Sequence, residues 1–259
     1  MGLTTAQART WLARWDRQQE VYVADREERF DVIADVVLAA TQRPDALVID
    51  LGCGPGSLSA RLGERMPHAQ IIGVDADPLL LGLATAGYAD RHGLTFVSAD
   101  LRKAGWADAL HLERGADAVV STTALHWLTR DELAALYHDV ATMLAPSGVF
   151  VDGDNFATRS ATLDVIANAV RAGRAERVGR AGEDWSQWWD AVGRAPELAA
   201  LAGERGARPI DHSVPDEATL DDHTELLRAA GFAEVGTVWQ HGDDRVLVGV
   251  RGNRRAAFG

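Results

Sequence analysis

Cysteine is almost absent from this chain, with Cys53 alone among 259 residues. A lone thiol excludes an intrachain disulfide and any thiolate-rich metal site, and it fits a reducing compartment. Lysine is as scarce, since Lys103 is the only one among 26 basic residues. Positive charge is short overall: 26 Lys and Arg face 38 Asp and Glu, for a formal net charge of −12. Such a chain has no field for a phosphate backbone or an anionic bilayer. We therefore expect no nucleic acid and no membrane as partner, and a small molecule instead. No apolar run reaches membrane-spanning length, and the start Met1-Gly2-Leu3-Thr4 lacks the charged-then-apolar order of a secretory signal. The expectation is a cytoplasmic protein, either monomer or homodimer.

What is present is apolar material for a full core, at 47% hydrophobic residues. Residues 4–42 carry helical periodicity in two pieces, the first capped by Thr5, and Pro44 closes them. From there the pattern becomes short, continuously apolar runs alternating with helices. Ala46–Leu51, Ile71–Val74, Leu94–Val97, Ala118–Val120 and Gly148–Val151 are expected strands. Helices are expected over 57–65, 77–91 and 130–144, with a further one over 102–113. After Asn155 the alternation stops, and the tryptophans at 185, 188 and 189 fall on one helix face. Arg174, Arg177 and Arg180, spaced by three, are expected on a solvated face. A helix over 219–230 then precedes strands Glu234–Gln240 and Arg245–Val250, joined by His241-Gly242-Asp243-Asp244. The expected class is α/β: a Rossmann-like, doubly wound sheet of seven strands, mostly parallel, ending in an antiparallel hairpin. The expected division is a helical lid segment over 1–42, a core over 43–155, a helical lid insert over 156–215 and a C-terminal helix and hairpin over 216–252.

The densest signal is Val48-Ile49-Asp50-Leu51-Gly52-Cys53-Gly54-Pro55-Gly56-Ser57, a buried strand running into a glycine turn and a helix. That is where open α/β sheets take ligands, and the free N–H groups of the helix start favour an anionic group. A nicotinamide fingerprint needs glycines at relative positions 1, 3 and 6, whereas here they stand at 52, 54 and 56 with serine at 57. No Gly-Lys-Ser/Thr follows, so the phosphate loop is excluded too. Asp75 ends the second strand, where a carboxylate can accept both hydroxyls of a ribose. Asp100 follows the third strand, placed to accept from an exocyclic amine, and Ser121-Thr122-Thr123 follows the fourth. Together these point to a nucleoside-type ligand without a pyrophosphate.

On these residues the chain resembles the class I S-adenosylmethionine-dependent methyltransferases, within them the small-molecule branch of trans-aconitate methyltransferase. The resemblance also rests on Gly73-Val74-Asp75, Ala99-Asp100-Leu101, Ala124-Leu125-His126-Trp127-Leu128 and Leu144-Ala145-Pro146-Ser147-Gly148-Val149. It implies S-adenosyl-L-methionine as cofactor, with Gly52, Cys53 and Gly54 along its methionine part and Asp50 near its ammonium. Asp75 would hold the ribose, Ala76 and Leu101 the adenine faces and Asp100 its amine, with Ser121 and Thr122 at the same edge. Arg29, preferred over Arg26, would meet the cofactor carboxylate. For an acceptor that must lose a proton, His126 is the first candidate base, with Tyr22 and His241 behind it. For a carboxylate acceptor Arg26 matters more. Trp127 and Asn155 complete the expected acceptor side, and no metal is expected, since Asp152, Asp154 and Asn155 need none to explain them. Two other readings stay open on the residues alone: a binding protein that no longer methylates, and a nicotinamide-dependent oxidoreductase.

Overall fold

The computed structural model describes every residue except 1, 21, 24, 25, 42, 180, 181, 209–217 and 253–259. Arg180 and the boundary expected at 215 lie outside the described residues. Helix α1 (Thr5–Glu20) is capped one residue earlier than expected. The Thr4 hydroxyl accepts from the Gln7 N–H at 3.3 Å while the Gln7 amide oxygen accepts from the Thr4 N–H at 3.0 Å, a reciprocal capping box. Helix α2 (Arg26–Ala40) follows and buries Phe30, Ile33, Ala34 and Val37.

The alternating part then runs β1 (Leu47–Leu51), α3 (Ser57–Arg65), β2 (Gln70–Asp75), α4 (Pro78–Gly87), β3 (Leu94–Ser98), β4 (Ala116–Thr122), α5 (Arg130–Met143) and β5 (Leu144–Asn155). Between β3 and β4 the expected helix over 102–113 is reduced to one short 3-10 turn, Trp106–Leu110. Left-handed residues bound it on both sides, Gly105 at φ 77° and His111 at φ 46°, and neither conformation can continue a helix. Helices α6 (Ala161–Val178), α7 (Trp185–Arg194), α8 (Ala199–Ala207) and α9 (Leu220–Ala229) lead to β6 (Phe232–His241) and β7 (Asp244–Arg251). The last two strands are longer than expected and leave only Gly242 and Asp243 between them, with Gly242 at φ 68°, suiting a tight turn.

The seven strands make one sheet in the order β3-β2-β1-β4-β5-β7-β6. The first five pair in parallel; β7 pairs antiparallel with both β5 and β6. Each sheet face carries a core. Leu133, Tyr137, Phe150, Leu227 and Phe232 pack on the α5 and α9 side. Ile33, Val37, Leu58, Val48, Val120 and Val246 pack on the α2 and α3 side. A third cluster joins α1, α4 and α7 through Trp11, Leu12, Leu79, Leu83 and Trp188. The two helices expected together as a lid therefore part company: α1 sits with α4 and α7, while α2 lies on β4, β5 and β7 as a layer of the core.

Candidate active site

All five residues of β1 are buried, and the chain leaves it through three left-handed glycines, Gly52 at φ 64°, Gly54 at φ 53° and Gly56 at φ 83°. At Gly52 a β-carbon would lie 2.3 Å from that of Ala124, so conformation and space both require glycine. The turn is fastened to β2, because the Gly54 N–H donates to Asp75 Oδ2 and the Asp77 N–H to Asp75 Oδ1, each at 2.8 Å. Burial pushes the Asp75 carboxyl up to about 6 even though these donors favour its charged form. Asp77 caps α4 by accepting from Leu79 N at 2.9 Å and meets Arg205 of α8 at 2.6 Å. Burial works against ionisation of Asp100, yet the hydrogen bonds from Arg102, 3.0 Å away through Nε, hold its carboxyl below the usual range.

These groups open onto a cleft of about 1320 Å³. Tyr22, Arg26, Gly52, Cys53, Gly54 and Asp75 of the expected site line it, as do Ala76, Asp100, Leu101, Thr122, His126, Trp127 and Asn155. Burial, aided by Asp75 and Asp50, pushes the Cys53 thiol well up, which works against a reactive thiolate there.

Four expected residues do not line the cleft. Arg29 is 1% exposed and is held at the ends of the central strands: it donates to Gly153 O at 3.0 Å and pairs with Asp244 at 2.7 Å. Asp50 accepts from Ser59 Oγ at 2.5 Å, and burial pushes its carboxyl up to about 7. Ser121 Oγ donates to Leu51 O at 2.9 Å, which ties β4 to β1. His241 ends β6. The arginine that does reach the cleft is Arg26, set by Asp16 of α1 at 3.0 Å and stacked on Phe30 at 4.6 Å. Ser57, the first residue of α3, and Arg61 share the same Asp16, at 2.6 Å and 3.0 Å. Asp16 had no sequence signal, because the contact crosses from α1 to α2 and α3.

Beside the glycine turn, Thr123 takes a left-handed φ of 50° just after β4 and leads into the 3-10 turn Leu125–Trp127. That turn brings His126 Nδ1 to 2.8 Å from Asp154 Oδ2 of β5. Burial opposes the charge on Asp154, but the imidazole holds its carboxyl below the usual range. Its neighbour Asp152 is fully buried, and burial together with the Asp154 charge pushes it well up. Sequence reasoning considered Asp154 only as a weak metal ligand and missed this pairing, since the partners are 28 residues apart. Among the described residues no group of three His, Cys, Asp or Glu could hold a metal. Trp185 and Trp189 bring α7 to the cleft, and the Trp185 N–H donates to the Tyr22 hydroxyl at 3.2 Å.

The sequence matches the family model described as a methyltransferase domain over residues 48–148. Trans-aconitate 2-methyltransferase of Methylobacterium nodulans is 31% identical over 213 residues, covering 75% of this chain and 77% of that protein. The same-named protein of Azoarcus sp. is 33% identical over 135 residues, 52% of this chain and 48% of that one. Among solved structures, magnesium protoporphyrin IX methyltransferase from Synechocystis PCC 6803, which holds S-adenosylhomocysteine, shares the fold with a TM-score of 0.55 at 20% identity, covering 92% of this chain and 94% of its own. The glycine turn, the seven-stranded order and these relatives agree: the chain belongs to the class I S-adenosylmethionine-dependent methyltransferases, and S-adenosyl-L-methionine is its cofactor.

Proposed function

We propose that this enzyme methylates a small-molecule acceptor seated between the cofactor and His126. The observation that carries the reading is that the glycine turn with Asp75 and the His126–Asp154 pair face one cleft. The residues fit the cofactor: Gly52 leaves room that a β-carbon would fill, and the Asp75 carboxylate is already oriented by two backbone donors. Gly52, Cys53 and Gly54 would follow the methionine part, Asp75 the ribose hydroxyls, Ala76 and Leu101 the adenine faces, and Asp100 the amine, with Thr122 beside them. Arg26 takes the carboxylate role first given to Arg29, because Arg26 lines the cleft.

Bound S-adenosylmethionine supplies a methyl group on a sulfonium, already activated for displacement. The protein therefore has to align the acceptor and exclude water. Trp127, Asn155 and Tyr22 wall the acceptor side, and His126, its Nδ1 donating to Asp154, is the group placed to take a proton. The single cysteine supports a cytoplasmic setting.

Calorimetric titration tests the reading. S-adenosylmethionine and S-adenosylhomocysteine should bind saturably, NAD should not, and Asp75→Ala should weaken both by at least about tenfold, as expected for one lost charge-assisted contact. Binding of NAD without the other two would overturn it.

A further inference from the structure

The cleft is crowded with acid, and every arginine on it already has a partner. Among the described residues that line it, Arg26 pairs with Asp16 at 3.0 Å, Arg102 with Asp100 at 3.0 Å, Arg171 with Asp243 at 2.9 Å and Arg205 with Asp77 at 2.6 Å. Asp75, Asp154 and Asp184 line it as well. With Arg26 turned to the cofactor carboxylate, a polycarboxylate acceptor would have to compete with an aspartate for each of the remaining arginines, or be desolvated beside like charge. The same cleft is also lined by aromatic rings: Tyr22, Trp127, Trp185 and Trp189.

The His126–Asp154 pair narrows the acceptor atom. A carboxylate has no proton to lose, and a neutral amine attacks before it loses one, so neither needs a base. An aliphatic hydroxyl, far less acidic than a phenol, is the harder proton for an imidazole to take. A phenol, at about 10 like tyrosine, is within reach of an imidazole oriented and charge-compensated by a carboxylate.

We infer that the acceptor is a neutral aromatic molecule methylated on a phenolic hydroxyl, an inference that rests on the methyl-transfer reading above. The phenolic O–H proton passes to His126 Nε2, since Nδ1 donates to Asp154. The oxygen forms the new O–CH₃ bond, and the methyl carbon's bond to sulfur breaks with its electron pair left on sulfur. The products are an aryl methyl ether, S-adenosylhomocysteine and the proton.

The test offers the full chain, with S-adenosylmethionine, phenols of graded acidity and trans-aconitate. The phenols should be methylated with kcat/KM at least about 100-fold above trans-aconitate, the scale of discrimination between a matched polar group and a mismatched one. His126→Gln should lower kcat for a weakly acidic phenol by about 10²–10⁴-fold, and far less for 4-nitrophenol, which is already largely ionised at pH 8. Without turnover, 4-nitrophenol bound at lower pH to the S-adenosylhomocysteine complex should show the phenolate absorbance with the native chain and lose it in His126→Gln. Asp154→Asn should weaken the same signal. Preference for trans-aconitate, or an equal His126→Gln loss for all phenols, would overturn the inference. Normal binding of S-adenosylmethionine with no transfer to any phenol would refute the acceptor class alone; absent binding would refute the methyl-transfer reading itself.

Discussion

Gly52 concentrates the requirements of the site in one residue. With φ at 64° and a β-carbon only 2.3 Å from that of Ala124, Gly52→Ala has to move either the turn or the 3-10 segment that carries His126. We expect a loss of more than about 1 kcal/mol in urea unfolding together with weaker cofactor binding; a variant with the native midpoint and native affinity would refute the steric argument. Asp50 and Asp75 set a pH dependence. Burial raises them to about 7 and about 6, whereas an unfolded chain ionises such groups near 3.9. Between those limits the unfolded state holds fewer protons, so these groups make stability fall as pH rises from about 4 to about 7. Asp50→Asn should flatten that fall, measured as the difference in urea midpoint between pH 5 and pH 8; equal slopes in the two proteins would count against it. At this scale the sequence made the cleft lining legible at Gly52, Asp75 and Asp100, because each stands at or just past the end of an apolar strand. It did not separate Arg26 from Arg29, because the two are spaced by three on one helix and only the packing of α2 on the sheet decides that Arg26 lines the cleft and Arg29 does not.

Among the elements, α7 depends on one large buried side chain. Trp188 is fully buried, with the rings of Trp11 and Trp15 at 5.8 Å and 5.0 Å, and so pins the insert to α1. Trp188→Ala should cost about 3–5 kcal/mol. Trp188→Phe should cost much less, because the buried indole N–H makes no hydrogen bond that phenylalanine would forfeit. Urea unfolding distinguishes the two, and similar losses would mean that the indole is not acting by packing. The start of α7 was written plainly: Asp184 and Gln187 form a capping box, as Thr129 with Glu132 do for α5 and Thr219 with Asp222 do for α9. The stretch 102–113 was not legible. Its apolar residues Trp106 and Leu110 are spaced as on a helix, but left-handed Gly105 and His111 confine them to one 3-10 turn. The three tryptophans were read as sharing one face; in the fold Trp188 is core while Trp185 stays 47% exposed beside the cleft.

Across the whole molecule, order of packing differs sharply between sheet and insert. β1 is buried from end to end, whereas α6 has no buried side chain among those described and leaves Leu163, Val165 and Ile166 more than half exposed. Hydrogen exchange should therefore be fastest, among the described helices, in α6 and slowest in β1 and β4, and S-adenosylhomocysteine should slow the amides of 52–58 and 75–80. Slow exchange along α6 in the free protein would contradict this. The alternation of strand and helix made the parallel half legible, and the Gly242 turn made the hairpin legible. The seat of β7 between β5 and β6 was not, because periodicity reports which faces are buried and says nothing of which edges meet. That seat has a consequence for biosynthesis. A chain emerging from the ribosome completes β5 and β6 before residues 244–251 exist, so until that strand is translated the growing sheet keeps an open edge and Arg29 waits for Asp244.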